Sequence, residues 1–138
     1  MKYNLKIFTQ IFADDYSDSI EATYPCKYSL QDGNHRLKYT DDEAGFTVVK
    51  ISPECDIEIR RKNSFTILLK KDFTHSTDCE TPYGSIPMSF TLLEASHTLS
   101  EEGGTVEYTS RVHIDGEPQT NKVTMLLIPD ERNEKEND

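Results

Sequence analysis

The strongest constraint on this chain is alternation with a period of two, interrupted by turn chemistry about every 8–12 residues, which is the pattern of an all-β sandwich or barrel. Tyr3, Leu5, Ile7, Thr9 and Ile11 share one phase, and Asn4, Lys6, Phe8, Gln10 and Phe12 share the other. Successive side chains of a strand point to opposite faces, so this is a strand with one mostly apolar side. Asp14-Asp15-Tyr16-Ser17-Asp18 ends it. Ile20, Ala22 and Tyr24 resume the pattern, Pro25 marks an edge or bulge, and Tyr28 and Leu30 continue it. Asp32-Gly33 is a strong hairpin signal. Leu37 and Tyr39, the β-branched run from Phe46 to Ile51, Ile57 with Ile59, and Phe65 with Ile67 and Leu69 extend a meander.

The second half carries a phase change. Ile86, Met88, Phe90 and Leu92 alternate in one phase, whereas Leu93, Ala95, His97 and Leu99 follow in the other. Such a flip within one run predicts a β-bulge, the device by which barrels curve their walls. Glu101-Glu102-Gly103-Gly104 and Asp115-Gly116 are further hairpin turns. Between them Val106, Tyr108, Ser110, Val112 and Ile114 form an inward face, opposed by Thr105, Glu107, Thr109, Arg111 and His113. Val123, Met125 and Leu127 form the last strand, and no segment has a helical period. Strands joined by short turns must hide their edges, and closure does so completely. The expectation is one closed antiparallel up-and-down barrel of about eight to ten strands over residues 1–129, with a two-sheet sandwich as the alternative. Residues 130–138 are polar and charged and are read as a disordered acidic tail.

A chain of 138 residues is one domain's worth, and its formal charge is −10. A field of that sign repels phosphates, so nucleic acid and anionic membrane are not expected as partners. The basic clusters Arg60-Arg61-Lys62 and Lys70-Lys71 do not change this. Lys62 and Lys70 are separated by ~26 Å along an extended strand and would mark opposite ends of a barrel. Cys26, Cys55 and Cys79 are an odd set at wide spacing, which suits free thiols. The first residues lack a signal peptide's apolar run and no stretch reaches transmembrane length, so a cytoplasmic protein is expected.

The run Thr81-Pro82-Tyr83-Gly84-Ser85-Ile86-Pro87-Met88, the Gly104-Thr105-Val106 hairpin exit and the final strand pair resemble the YwiB-like family. These are small bacterial proteins of unknown function. The resemblance covers mainly residues 65–128, and it implies a calycin-type, lipocalin-related barrel without implying any activity, catalytic residue or cofactor. Relatives tend to place an aromatic where Ser110 stands here, while Tyr108 lies two positions earlier on the same face.

Few residues invite chemistry. The four histidines are too scattered for a zinc pattern, and the acidic pairs Asp14-Asp15, Asp41-Asp42 and Glu101-Glu102 all fall in turns. No phosphate loop or nucleophile elbow is present, so an enzyme is not expected. His97 is in phase with the inward set, where it is either a satisfied core or rim histidine or a polar anchor of a cavity, with Tyr108 or Ser110 as the partner that a buried imidazole needs. His97, Tyr108, Ser110 and Val112 are therefore the candidate lining of a ligand site inside the barrel. The leading expectation is a non-enzymatic barrel that binds a small apolar or amphipathic molecule. The alternative is a protein-interaction or scaffold module with a filled core.

Overall fold

The computed structural model describes residues 2–130. The expected tail lies outside them except for Asp130, whose N–H donates to the Lys2 carbonyl at 2.8 Å. Ten strands follow in chain order: β1 Tyr3–Phe12, β2 Ser17–Gln31, β3 Asn34–Asp41, β4 Gly45–Ile51, β5 Ile57–Arg61, β6 Ile67–Leu69, β7 Thr74–Thr81, β8 Gly84–His97, β9 Gly104–Ile114 and β10 Glu117–Pro129. They form one antiparallel sheet in the order β6-β5-β4-β3-β2-β1-β10-β9-β8-β7. Every neighbour is sequential except β1 and β10, which zip the two halves together from Tyr3↔Pro129 to Phe12↔Thr120.

The hairpin signals act as their chemistry requires. Asp32 and Gly33 have φ of 54° and 79°, and Asp115 and Gly116 have 51° and 84°. Two consecutive positive values are the type I′ geometry that matches strand twist. β2 pairs with β1 up to Cys26 and with β3 from Lys27 onward. Pro25, which has no N–H for a second ladder, stands beside that exchange.

The sheet curls until its end strands meet, giving a nearly closed barrel. β6 is only Ile67–Leu69, so the seam is short. The Leu68 N–H donates to His75 Nδ1 of β7 at 3.2 Å, and Lys71 bridges to Leu92 of β8. The His75 ring stacks on Phe90, and Phe90 lies 5.9 Å from Phe65. Strand β7 was not expected from the sequence. Its residues, Thr-His-Ser-Thr-Asp-Cys-Glu-Thr, carry no apolar alternation and gain their place by pairing with β8.

The bulge falls where the phase flips, between Leu92 and Glu94. Leu93 is the extra residue, and it points out, 48% exposed, rather than in as its phase suggested. The inward side chains form one contiguous core, including Leu5, Leu37, Val49, Ile51, Ile57 and Val106. No helix of the described residues is long and apolar enough to cross a membrane.

Candidate ligand site at the barrel mouth

Strand β9 supplies the inner wall that its alternation predicts. Val106, Tyr108, Ser110 and Val112 are buried, whereas Glu107 and Arg111 are exposed. His97 does not join them. It pairs with Val106 and is only half-buried. Its Nδ1 accepts the Leu99 N–H at 3.2 Å, and its ring meets that of His35 edge-on with centroids 4.6 Å apart. Neither Tyr108 nor Ser110 is its partner, which corrects the expectation from phase alone. Four residues of strand separate the register levels of Val106 and Ser110, ~13 Å.

The sequence-chosen set therefore splits in two. One group is a polar plug at the end where β1 begins. There the His35 Nδ1 and the Tyr28 hydroxyl are 2.8 Å apart, and Tyr28 meets Tyr3 edge-on. Tyr3 in turn donates to the Glu101 carbonyl at 2.7 Å. Burial, then the nearby His97, holds the His35 pKa below its usual value. Each member of this plug has a partner within the protein.

The other group surrounds Tyr108 and contains residues that alternation alone did not single out. Tyr39 lies four positions beyond His35 on β3, ~13 Å along the strand. It stacks on Tyr24 with centroids 5.0 Å apart. The Tyr24 hydroxyl donates to Asp41 Oδ2 at 3.1 Å, while Asp41 Oδ1 accepts the N–H groups of Glu43 and Ala44. Those bonds, led by Ala44, hold the Asp41 pKa below its ordinary value. Arg61 ends β5 on the inward phase, with its guanidinium carbon 5.9 Å from the Phe65 ring centre. Burial pushes the Tyr108 phenol up to about 12 and the Tyr39 phenol higher still, and Arg61 opposes both shifts.

Three hydroxyls on the inner wall make no bond to another described residue. They belong to Tyr39, Tyr108 and Ser110, which are 8%, 9% and 3% exposed. Arg61 likewise makes no ion pair among the described residues. Arg36 Nε is the one buried side-chain polar atom left without a partner among the described residues, so these hydroxyl oxygens reach solvent. Solvent-reaching donors on largely buried rings near the Arg61 guanidinium can serve an acceptor from outside the chain. Arg61 was read from sequence as part of a basic cluster. The structure turns it inward, between the outward Arg60 and the exposed Lys62.

No three His, Cys, Asp or Glu side chains converge into a metal-binding group among the described residues. Several concavities lie on the outer wall. One of them, about 430 Å³, is lined by Gln10, Glu94, Glu107, Thr109, Lys122 and Thr124 among others and is polar.

The fold is similar to that of the crystal structure of the ywiB protein from Bacillus subtilis, with a TM-score of 0.76, 17% identity, and coverage of 91% of this chain and 90% of that one. No curated protein sequence matches the chain. With its barrel and its strand order on the page, the family match over residues 5–126 has a structural counterpart, and the chain belongs to the family described as a domain of unknown function, DUF1934.

Proposed function

We propose that this barrel is a non-enzymatic binding protein for a small amphipathic molecule with an anionic head. The head sits at Arg61, Tyr39 and Tyr108, and the apolar part lies against Phe65 and the rim. The observation that carries the reading is a set of solvent-reaching hydroxyls on largely buried side chains, near an Arg61 guanidinium that forms no ion pair among the described residues. A carboxylate or sulfonate accepts from all of them, and charge-assisted bonds to arginine are the stronger kind. Because the interior below is an aliphatic core, the ligand occupies the mouth rather than the barrel's full depth. That core is also what the scaffold alternative requires, so the two readings differ only at the mouth. The three thiols are free, which supports a cytoplasmic setting.

The test is isothermal titration with dodecanoate and with dodecanol. Binding of the carboxylate that weakens about tenfold or more in Arg61→Gln, with dodecanol bound poorly, supports the reading. Equal binding of both compounds, or equal binding by wild type and variant, overturns it in favour of a filled scaffold.

A further inference from the structure

The cations of this acidic chain are unevenly placed. On the outer wall, β2 to β5 carry them in three cross-strand rows. One row runs Lys27, Lys38, Val48, Arg60. The next runs Ser29, Arg36, Lys50, Glu58. In the third, Phe46 lies opposite Thr40, and its carbonyl accepts the Lys62 N–H. Six of the chain's fifteen cations thus lie in these rows with a single carboxylate, Glu58, although the chain has twenty-five acidic residues. Each row is hidden from sequence inspection, because its members come from different strands.

This face is not balanced from within. Lys27 stands directly opposite Lys38, and Arg36 opposite Lys50. Like charges at such positions are destabilising. Among the described residues, one ion pair lies within these rows, joining Arg60 to Glu58. Arg36 keeps a buried Nε–H that no acceptor meets among the described residues, and swinging onto an anion would satisfy it. The cations also border an aromatic, since Phe46, level with Lys62 and one row from Lys38, is 49% exposed.

We infer that this outer face of β2–β5 binds single-stranded nucleic acid, with Lys27, Lys38, Arg36 and Lys50 on phosphates and Phe46 stacking a base. Neighbouring strands are about 4.8 Å apart, so the rows present cations at a spacing that a flexible phosphate backbone can follow. A basic track with an exposed ring is what sequence-tolerant single-strand binding uses. The net charge of −10 does not forbid it. At physiological salt the Debye length is about 8 Å, so remote carboxylates are screened while cations in contact act fully. The acidic turns at Asp41-Asp42-Glu43 and Glu54-Asp56 flank the rows and confine the strand to them. An acidic protein is the rival occupant, but the exposed ring among the cations favours a base.

The experiment is fluorescence anisotropy of a labelled fifteen-nucleotide oligothymidylate and of a labelled polyglutamate of equal charge, across a salt series. Wild type is expected to bind the oligonucleotide with a steep salt dependence. Lys27→Glu/Lys38→Glu should lower affinity at least about tenfold and flatten the log–log slope by about 1.4, at ~0.7 per lost phosphate contact. Phe46→Ala should weaken binding several-fold with the slope unchanged, as lost stacking does. Circular dichroism melts are the control that both variants fold, which is expected because all of the replaced side chains point away from the core. No binding at low salt, indifference to the charge reversal, or equal binding of polyglutamate with no effect of Phe46→Ala overturns the inference; the last outcome points to an acidic protein instead.

Discussion

The Leu68 N–H of β6 donates to the His75 imidazole of β7, and this 3.2 Å bond joins the two end strands of the sheet. A side chain does the work of a ladder at the one place where the barrel has no long strand pair. The same ring lies on Phe90, which neighbours Phe65 and through it Arg61, so the seam and the mouth share a wall.

Replacing His75 therefore tests closure. His75→Ala leaves the Leu68 amide unpaired and removes a ring from the seam. We expect a loss of about 1–3 kcal/mol in urea unfolding, with faster hydrogen exchange at Leu68 than at core amides such as Val49. Unchanged exchange at Leu68 would show that the seam is held by other contacts.

Acid should weaken the opposite end first. The folded-state pKa of His35 lies below 6.5, so the unfolded chain takes up that proton before the folded one does. Stability then falls as pH drops below about 6.5 and levels, for this group, beneath the folded pKa. His35→Gln should flatten that part of the profile. Asp41 acts in a separate window, because its lowered pKa contributes stability that is lost only below 3.8. Identical slopes between pH 7 and 5 for wild type and His35→Gln would remove the histidine pair as the cause.

The three thiols should separate by environment. Cys26 is buried, and desolvation pushes its pKa up to about 11. Cys79 is half-buried on the β7–β8 hairpin. Iodoacetamide at pH 8 is expected to label Cys79 well before Cys26, while denatured, unreduced protein yields three reactive thiols. Labelling of Cys26 at the rate of Cys79, read by peptide mass spectrometry, would contradict the packing of β2 against β1.

What sequence could reveal here follows from where each signal resides. Alternation is local, so β1, β4, β9 and the bulge after Leu92 were readable, and so was the inward set of Tyr108, Ser110 and Val112. Strand β7 was not, because a Thr- and Ser-rich edge strand has no apolar phase to detect. Leu93 misled, because a bulge ejects one residue and phase counting cannot say which. His97 misled for a related reason. Phase puts it on the inner face, but only the register with Val106 places it at the plugged end, beside a histidine sixty-two positions away in sequence. Arg61 and the basic rows depend wholly on which strands become neighbours. Those relations lie between segments, where reading one segment at a time does not reach.

The inner face of β9 can be tested by volume. Val112 is buried and Thr109 lies on the other face, where its hydroxyl reaches Glu94 at 3.4 Å. Val112→Ala should cost on the order of 1–3 kcal/mol through lost transfer energy and a cavity. Thr109→Ala should change stability by no more than ~0.5 kcal/mol. Equal losses would undo the face assignment.

The hydroxyls of Tyr108 and Ser110 allow stability and binding to be pulled apart. A hydroxyl that donates to a core partner is expensive to delete, whereas one with no partner in the protein is not. Tyr108→Phe and Ser110→Ala should therefore change the unfolding free energy by less than ~0.5 kcal/mol, yet Tyr108→Phe should weaken dodecanoate binding several-fold. Ser110→Phe goes the other way. Ser110 sits between Tyr108 and Val112 on a filled wall, so a phenyl ring there overpacks it and should destabilise by ~1–3 kcal/mol. If Ser110→Phe instead leaves stability intact while abolishing dodecanoate binding, the space beneath the mouth is open and the ligand reaches deeper than Arg61. If Tyr108→Phe costs as much stability as Val112→Ala, the phenol has a partner inside the fold, and the hydroxyl set is part of the core rather than a binding site.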